Sequence, residues 1–346
     1  MPHWGRALGR WVYSLAGECD RCPACGSEDL FDLDLHVLRR PIAGRRIGFF
    51  SGCDECGLVF RNPPPTVEEL CHFYSPDGEW GAPRASEAHE APRTKGGGRG
   101  GAWVRFFDPI HGELDVTRPP AGARVLDFGC GDGKMLDLLQ DCGWETFGIE
   151  TALDVAFRRH HRLDSIPIEP MFDVVIAHHV LEHVTNPFDV LCQLGAASQP
   201  GGYLLVSVPR LDTLHVHRDY KYVLNGTAHV TAYTWPCLAF LLRRAGWSPV
   251  APPPDRVPES AGRVTVARLR VVARREETAE QPVAPRGNDA RAVIREYYRG
   301  ESRPVFERLG FMRLAARRAE RSRQQGVRAR KAAKRRARDS SANARS

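Results

Sequence analysis

An α/β fold, with a mostly parallel open sheet closed by an antiparallel hairpin and a small cysteine-bearing module ahead of it, is predicted from three observations. The first is the stretch RVLDFGCGDGKMLDLLQDCGWETFGIE, residues 124–150. Val125, Leu126 and Phe128 make a short buried strand, and glycines then turn the chain into an amphipathic helix over 134–142, stopped by Gly143. A second apolar run over 146–149 ends at Glu150. Strand, glycine turn, helix, strand and terminal acid is the layout of a nucleoside-binding βαβ half. The second observation is FDVVIAHHVLEHVTNP at 172–187, a buried strand that leads into a new helix start, followed by the Pro200-Gly201-Gly202 turn and the apolar strand 204–209. The third is a pair of matched Cys-x-x-Cys-Gly knuckles near the N-terminus.

Gly129, Gly131 and Gly133 let the backbone approach a ligand closely, since no Cβ projects from them. Glu150, at the end of the second strand, is placed to accept ribose hydroxyls. The glycines fall as G-x-G-x-G behind Asp127, not as the G-x-G-x-x-G of a dinucleotide site. An acid before the turn suits a ligand that carries an ammonium group better than one that carries a pyrophosphate. The pattern D-F-G-C-G-D-G resembles the first motif of class I S-adenosylmethionine-dependent methyltransferases, and FDVVIAHHVLEHVTNP resembles their fourth. The resemblance covers residues 118–275 and implies a Rossmann-like sheet. It also implies that S-adenosyl-L-methionine is held by Asp127, Gly129, Cys130, Gly131, Gly133 and Glu150, with Ala177 and His178 against the cofactor or the reacting centre. One departure is that 21 residues separate Glu150 from Phe172. After a helix over 153–161, the third strand is therefore cut to 165–168 or missing, and Asp164 or Glu169 is left as the adenine contact.

The cysteine module occupies residues 19–62. Cys22 and Cys25 form one knuckle, Cys53 and Cys56 the other, with 27 residues between Cys25 and Cys53. Each knuckle wraps a metal with two thiolates, and four thiolates suit tetrahedral, structural Zn2+. Residues 31–38 alternate apolar and polar and 45–50 supply a second strand, so a zinc ribbon is expected. Cys19, three residues before Cys22, falls outside the knuckle pattern.

Residues 63–117 read as a proline turn, a helix with Thr66 and Glu69 in capping-box spacing, a Gly- and Pro-rich linker over 75–101 and a lead-in helix over 102–116. Beyond 209, an amphipathic helix over 234–244 and strands at 247–250 and 264–272 close the sheet. Histidine suits a general base because its ordinary pKa lies near neutrality. His229, between the fifth strand and the next helix, is the leading candidate, and His183, beside Glu182, is the second. His215 and His217 lie in the same cover region, and His160 and His161 are explained by the dipole of the helix they end.

The chain has 346 residues and a net charge of +7, but residues 303–346 hold 15 Lys or Arg against 3 Asp or Glu, so the body before them is mildly acidic. Residues 276–346 read as linker, helical segments and basic tail. The tail is either a solvated extension or an electrostatic grip for nucleic acid or an anionic membrane surface. No run of 18 apolar residues occurs, and residues 1–18 lack the apolar core of a secretory leader, so a cytoplasmic protein with reduced cysteines is expected. The resemblance extends to bacterial enzymes of small-molecule and sugar pathways, including zinc-bearing deoxysugar C-methyltransferases. The expected activity is therefore O-methylation, or C-methylation, of a small molecule, sugar or glycan. Two alternatives stand beside it: an RNA methyltransferase that uses the basic tail, and a non-catalytic cofactor-binding scaffold.

Overall fold

The computed structural model describes residues 19–33, 49–75, 114–151, 159–211, 223–224, 228–250, 268–276 and 282–285. The chain divides into two compact units, Met1–Ile294 and Arg295–Ser346, and the described residues all belong to the first. The N-terminal segment 1–18, linker residues 76–101, lead-in residues 102–113, helix residues 152–158, His215, His217 and the tail 286–346 lie outside the described residues.

Apolar residues of the cysteine module first build a small antiparallel sheet from β1 (Leu30–Leu33), β2 (Phe49–Cys53) and β3 (Val59–Asn62). Helix α1 (Val67–Tyr74) follows, its start fixed by a reciprocal capping box between Thr66 and Glu69. Glu69 Oε2 also accepts from Arg61 Nη2 at 3.0 Å, which ties α1 to β3.

The second sheet carries the nucleoside-binding pattern. Its strands are β4 (Arg124–Phe128), β5 (Glu145–Ile149), β6 (His161–Arg162), β7 (Phe172–His178) and β8 (Ser198–Pro209), followed later by β10 (Trp247–Pro249) and β11 (Arg268–Arg275). The strand order is β10-β11-β8-β7-β4-β5-β6; β4 to β8 run parallel, and β11 and β10 close the sheet antiparallel. This is a Rossmann-like sheet, mostly parallel and closed by an antiparallel hairpin. Helices α2 (Lys134–Asp141), α3 (Pro187–Ala197) and α4 (Trp235–Arg244) start at Gly133, Asn186 and Thr234, where Asn186 and Thr234 cap with their side chains. Met135 and Leu139 of α2 pack on one face of the sheet with Val125, Val174, Ile176 and Leu205, while α3 and α4 pack on the other with Leu126, Val175, Leu204 and Val206.

The third parallel strand corrects the sequence reading. It is neither missing nor at 165–168 but lies at His161–Arg162, paired with Phe147 and Gly148. The helix expected over 153–161 therefore cannot run to its predicted end, since residues 159–160 are bends and His161 is already strand. His160 is explained by packing rather than by a helix dipole: its Nδ1 lies 2.8 Å from Thr146 Oγ1 and its Nε2 3.1 Å from Asp137 Oδ1. Both residues of β6 are exposed at the sheet edge, so no apolar alternation marks the strand.

A short strand after β8, β9 (Thr231–Ala232), leaves the large sheet and pairs with β3, making the small sheet four-stranded. Buried Cys22, Cys53, Cys56, Leu58 and Phe60 share one continuous core with Leu181, Tyr233, Cys237 and Leu241. The strand order reverses between β5 and β7, on either side of β4, and ligands in open α/β sheets bind beyond the carboxyl ends at such a point.

Candidate functional site

The first wall of the site is the turn after β4. Gly129 and Cys130 donate their N–H groups to Ile149 O at 2.8 and 3.2 Å, and Gly131 N donates to Glu150 Oε2 at 2.8 Å. Gly131 has φ 55°, in the left-handed region that favours glycine. Gly129 is required by packing as well, because a Cβ there would lie 2.4 Å from Val180 Cγ2, in the segment after β7. Asp127 is 4% exposed, and its carboxyl is raised to about 7 by burial first and then by the charges of Glu150 and Asp132. Burial, Asp127 and Glu150 also push the Cys130 thiol up, so it is no nucleophile at neutral pH. Acids gathered around a glycine turn fit a nucleoside that brings its own positive charge.

The second wall is the segment after β7. His178 ends the strand, and His179 takes φ 56°, an uncommon conformation for a side chain with Cβ. His179 N donates to Ser207 O at 2.8 Å, and His179 Nδ1 lies 2.8 Å from Glu182 Oε1. Glu182 is buried, and burial raises its carboxyl to about 7; its Oε2 has no hydrogen-bond partner among the described residues. Burial lowers His178 to about 3 and His179 to about 4, in each case with help from the charges of Arg268 and Arg270. Ala177 is fully buried in the core on one face of β7, and His178 lies on the other face.

The third wall comes from the cysteine sheet. Arg61 N donates to Val230 O at 2.7 Å, and Val230 N donates to Glu182 O at 2.7 Å, so β3 holds the chain that carries His229 onto the Leu181–His183 turn. The Thr231 and Tyr233 hydroxyls both donate to Leu181 O at 2.8 Å. The His183 and His229 rings meet edge to face, with centroids 4.9 Å apart. His183 Nδ1 lies 2.9 Å from Ala228 O and 3.1 Å from Tyr74 Oη. A carbonyl can only accept, so Nδ1 carries the proton and Nε2 keeps the lone pair. Burial lowers His183 to about 4 and keeps it neutral at pH 7. Glu182, His183 and His229 each bring a ligand atom within 4.8 Å of the others, a grouping that could hold a metal ion. Tyr74 was not found in the sequence; its aromatic ring at the end of α1 carries no motif, and its contact with His183 spans 109 residues.

The two knuckles are near copies of each other. Gly26 N donates to Cys22 O at 2.9 Å and Gly57 N to Cys53 O at 3.0 Å, and both glycines have positive φ, 78° and 76°. The four Sγ atoms lie within 4.8 Å of one another, with Cys22–Cys56 at 3.6 Å and Cys25–Cys53 at 3.5 Å. Zn–S bonds of about 2.3 Å at tetrahedral angles place sulfurs roughly 3.8 Å apart, so the set fits such an ion. The Cys22 and Cys56 thiols are pushed far up by hydrogen bonding to Cys25 and Cys22 respectively, and Cys53 is pushed far down by its hydrogen bond from Cys22. The grouping is one that could hold a metal ion shared by all four sulfurs. Cys19 stands outside the group, its backbone N and O held by the Asn62 side chain at 2.7 and 3.0 Å.

A family model described as a methyltransferase domain matches residues 104–251. A ubiquinone biosynthesis O-methyltransferase of Xanthomonas axonopodis pv. citri is 32% identical over 168 residues, 41% of this chain and 70% of that protein. A probable S-adenosylmethionine-dependent methyltransferase of Mycolicibacterium smegmatis is 32% identical over 128 residues, 34% of this chain and 49% of that protein. The similarity therefore spans about half the length of the latter relative. Among solved structures, 1,6-didemethyltoxoflavin-N1-methyltransferase of Burkholderia thailandensis, determined with S-adenosylhomocysteine, is 18% identical with a TM-score of 0.37, over 54% of this chain and 95% of that one.

Proposed function

We propose that this chain, which belongs to the class I S-adenosylmethionine-dependent methyltransferases, places the methyl group on a hydroxyl of a small molecule, sugar or glycan. The observation that carries the hydroxyl reading is the His183–His229 ring pair, with His183 held neutral by burial, built beyond the carboxyl end of β7 and one strand from Asp127. A hydroxyl acceptor gains from a proton acceptor, and this pair supplies one. The name of the Xanthomonas relative, an O-methyltransferase, points the same way.

S-adenosylmethionine, when bound, supplies a methyl group already activated by its positively charged sulfur. Asp127 takes the ammonium, Glu150 the ribose hydroxyls, and the Gly129–Gly133 bend the amino-acid portion. His183, its Nδ1–H held by Ala228 O, orients His229, and His229 receives the proton of the acceptor hydroxyl. Cys22, Cys25, Cys53 and Cys56 hold a structural Zn2+, a reading supported by the sulfur spacing and the paired knuckle turns.

His229→Gln is expected to slow turnover by about 10²–10⁴-fold while S-adenosylhomocysteine binds as before. Turnover within threefold of the unsubstituted protein would remove His229 from the reaction. The acceptor class is tested by incubating the full chain with methyl-labelled S-adenosylmethionine and fractionated extract, then identifying the labelled product. A methyl ether supports the reading, whereas label on nitrogen or in RNA overturns it.

Cofactor affinity carries a second expectation. The Asp127 carboxyl, raised to about 7, is largely protonated in the ligand-free protein below that pH. An ammonium ligand has to displace that proton, so S-adenosylhomocysteine affinity should fall as pH drops from about 8 to about 6, approaching tenfold per unit. The folded pKa lies above the unfolded value, so the stabilising contribution of neutral Asp127 is lost as pH rises through about 7. Calorimetry across that range should show the affinity trend flattened in Asp127→Asn; an equal slope in both proteins would assign it elsewhere.

A further inference from the structure

The closing strand β11 carries four arginines, and they divide into two kinds. Arg274 Nε donates to Gly201 O at 3.4 Å, and Arg275 Nη1 to Ala245 O and Gly246 O at 3.1 and 3.0 Å. Arg268 and Arg270 make no hydrogen bond or ion pair with any described residue, although their charges bear on His178 and His179. Strand register explains where they point. Val272, Leu205, Ile176 and Asp127 are successive partners across β11, β8, β7 and β4, so they share one face of the sheet. Two residues further toward the carboxyl ends of β7 and β8, the next row on that face is Arg270, Ser207 and His178, with Arg268 beside Pro209 one step beyond.

Ser207 sits in the middle of this row. Its residue is fully buried, and its Oγ has no hydrogen-bond partner among the described residues. A buried hydroxyl without a partner is destabilising and unusual in a native fold. Burial also lowers the pKa of Arg270, with the charge of Arg268 adding to the effect, and the charge of Arg268 bears on the buried Glu182 carboxyl as well. An orphan hydroxyl with one guanidinium in its own row and a second in the next, neither hydrogen-bonded to a described residue, has the chemistry of an oxyanion seat: Arg supplies a planar fork of donors and the serine a further one.

We propose that Arg270, Arg268 and Ser207 form a subsite for an oxyanionic group of the acceptor, a carboxylate or a phosphate ester. The inference rests on the methyltransferase reading above, and deepens it by naming the acceptor as an anion. Strands lie about 4.8 Å apart, so the row places the anion roughly 10 Å from the His178 backbone position, on the side away from the glycine turn. Burial keeps the His178 and His179 imidazoles neutral, and the charges of Arg268 and Arg270 add to the effect. Anionic and hydroxyl groups of the same acceptor are thus read by different strands.

The test uses the full chain saturated with S-adenosylhomocysteine and titrated with phenyl phosphate or benzoate by calorimetry. Saturable binding of at least one is expected, weakened tenfold or more in R268Q/R270Q and reduced in Ser207→Ala, with Arg270→Lys intermediate. Preference for phenyl phosphate assigns a phosphate ester and preference for benzoate a carboxylate; either supports the subsite. Absence of binding overturns it, as does binding that the double substitution leaves unchanged, which marks an adventitious ion only. S-adenosylhomocysteine binding in the same cell separates the two readings. If that ligand binds and the oxyanions do not, the subsite alone fails; if it does not bind, the cofactor assignment fails.

Discussion

Gly131→Arg is expected to yield a folded protein that has lost S-adenosylmethionine and S-adenosylhomocysteine binding by a hundredfold or more, about 2.7 kcal/mol. Two effects combine. Gly131 has φ 55°, and a side chain there costs about 1–2 kcal/mol in backbone strain. The larger effect is that the new side chain enters the bend whose N–H reaches Glu150 Oε2, the group assigned to the ribose. Gly122→Ala is the matching control, since Gly122 has φ 78° and a Cβ there meets nothing within 4 Å. It should carry the strain and keep the ligand. Calorimetry with either ligand, alongside a thermal melt, measures both. Affinity within threefold of the unsubstituted protein, with the fold intact, would show that the glycine bend does not cradle the cofactor.

Loss of the proposed Zn2+ is expected to act on the His229 side of the site and on stability. Structural Zn2+ contributes folding free energy of about 10–16 kcal/mol in isolated small modules, because unfolded cysteines offer no preformed site. Here the cysteine sheet is not isolated. Phe60 and Val59 pair with β9, Arg61 N holds Val230 O, and Arg244 Nη1 donates to Ala24 O at 2.6 Å across 220 residues. Cys56→Ser, or exhaustive chelation, should therefore lower the melting temperature and release the segment that carries His229 and leads into β9. Methyl transfer is expected to fall more than a hundredfold while S-adenosylhomocysteine affinity stays within about tenfold, because β4 and β5 lie in the other sheet. Metal analysis should return one zinc per chain. An unchanged melt and turnover after chelation, or a metal-free protein of full activity, would refute the structural ion.

The glycine turn proposed to hold the cofactor was legible in the primary structure because its determinants are local. Asp127, the three glycines and Glu150 span 24 residues of one βαβ unit, where apolar period and turn chemistry dictate the path. The same holds for the knuckles: Cys-x-x-Cys-Gly encodes its own turn, and both copies fold alike. The β6 strand escaped detection because two exposed edge residues carry no alternation, and a short segment after Glu150 looked too small for a helix and a strand. Ala177 and His178, adjacent in the chain, part to opposite faces of β7, a consequence of the strand's period of two.

The glycine turn and the two Cys-x-x-Cys-Gly knuckles were determined by the amino-acid sequence alone, since each depends on residues within a few positions of one another. Tertiary structure alone decided that β9 crosses to the cysteine sheet, that Tyr74 meets His183, and that Arg270, Ser207 and His178 fall in one row. These contacts join segments tens to more than a hundred residues apart, and strand order and register, which set them, leave no local periodic mark on the chain.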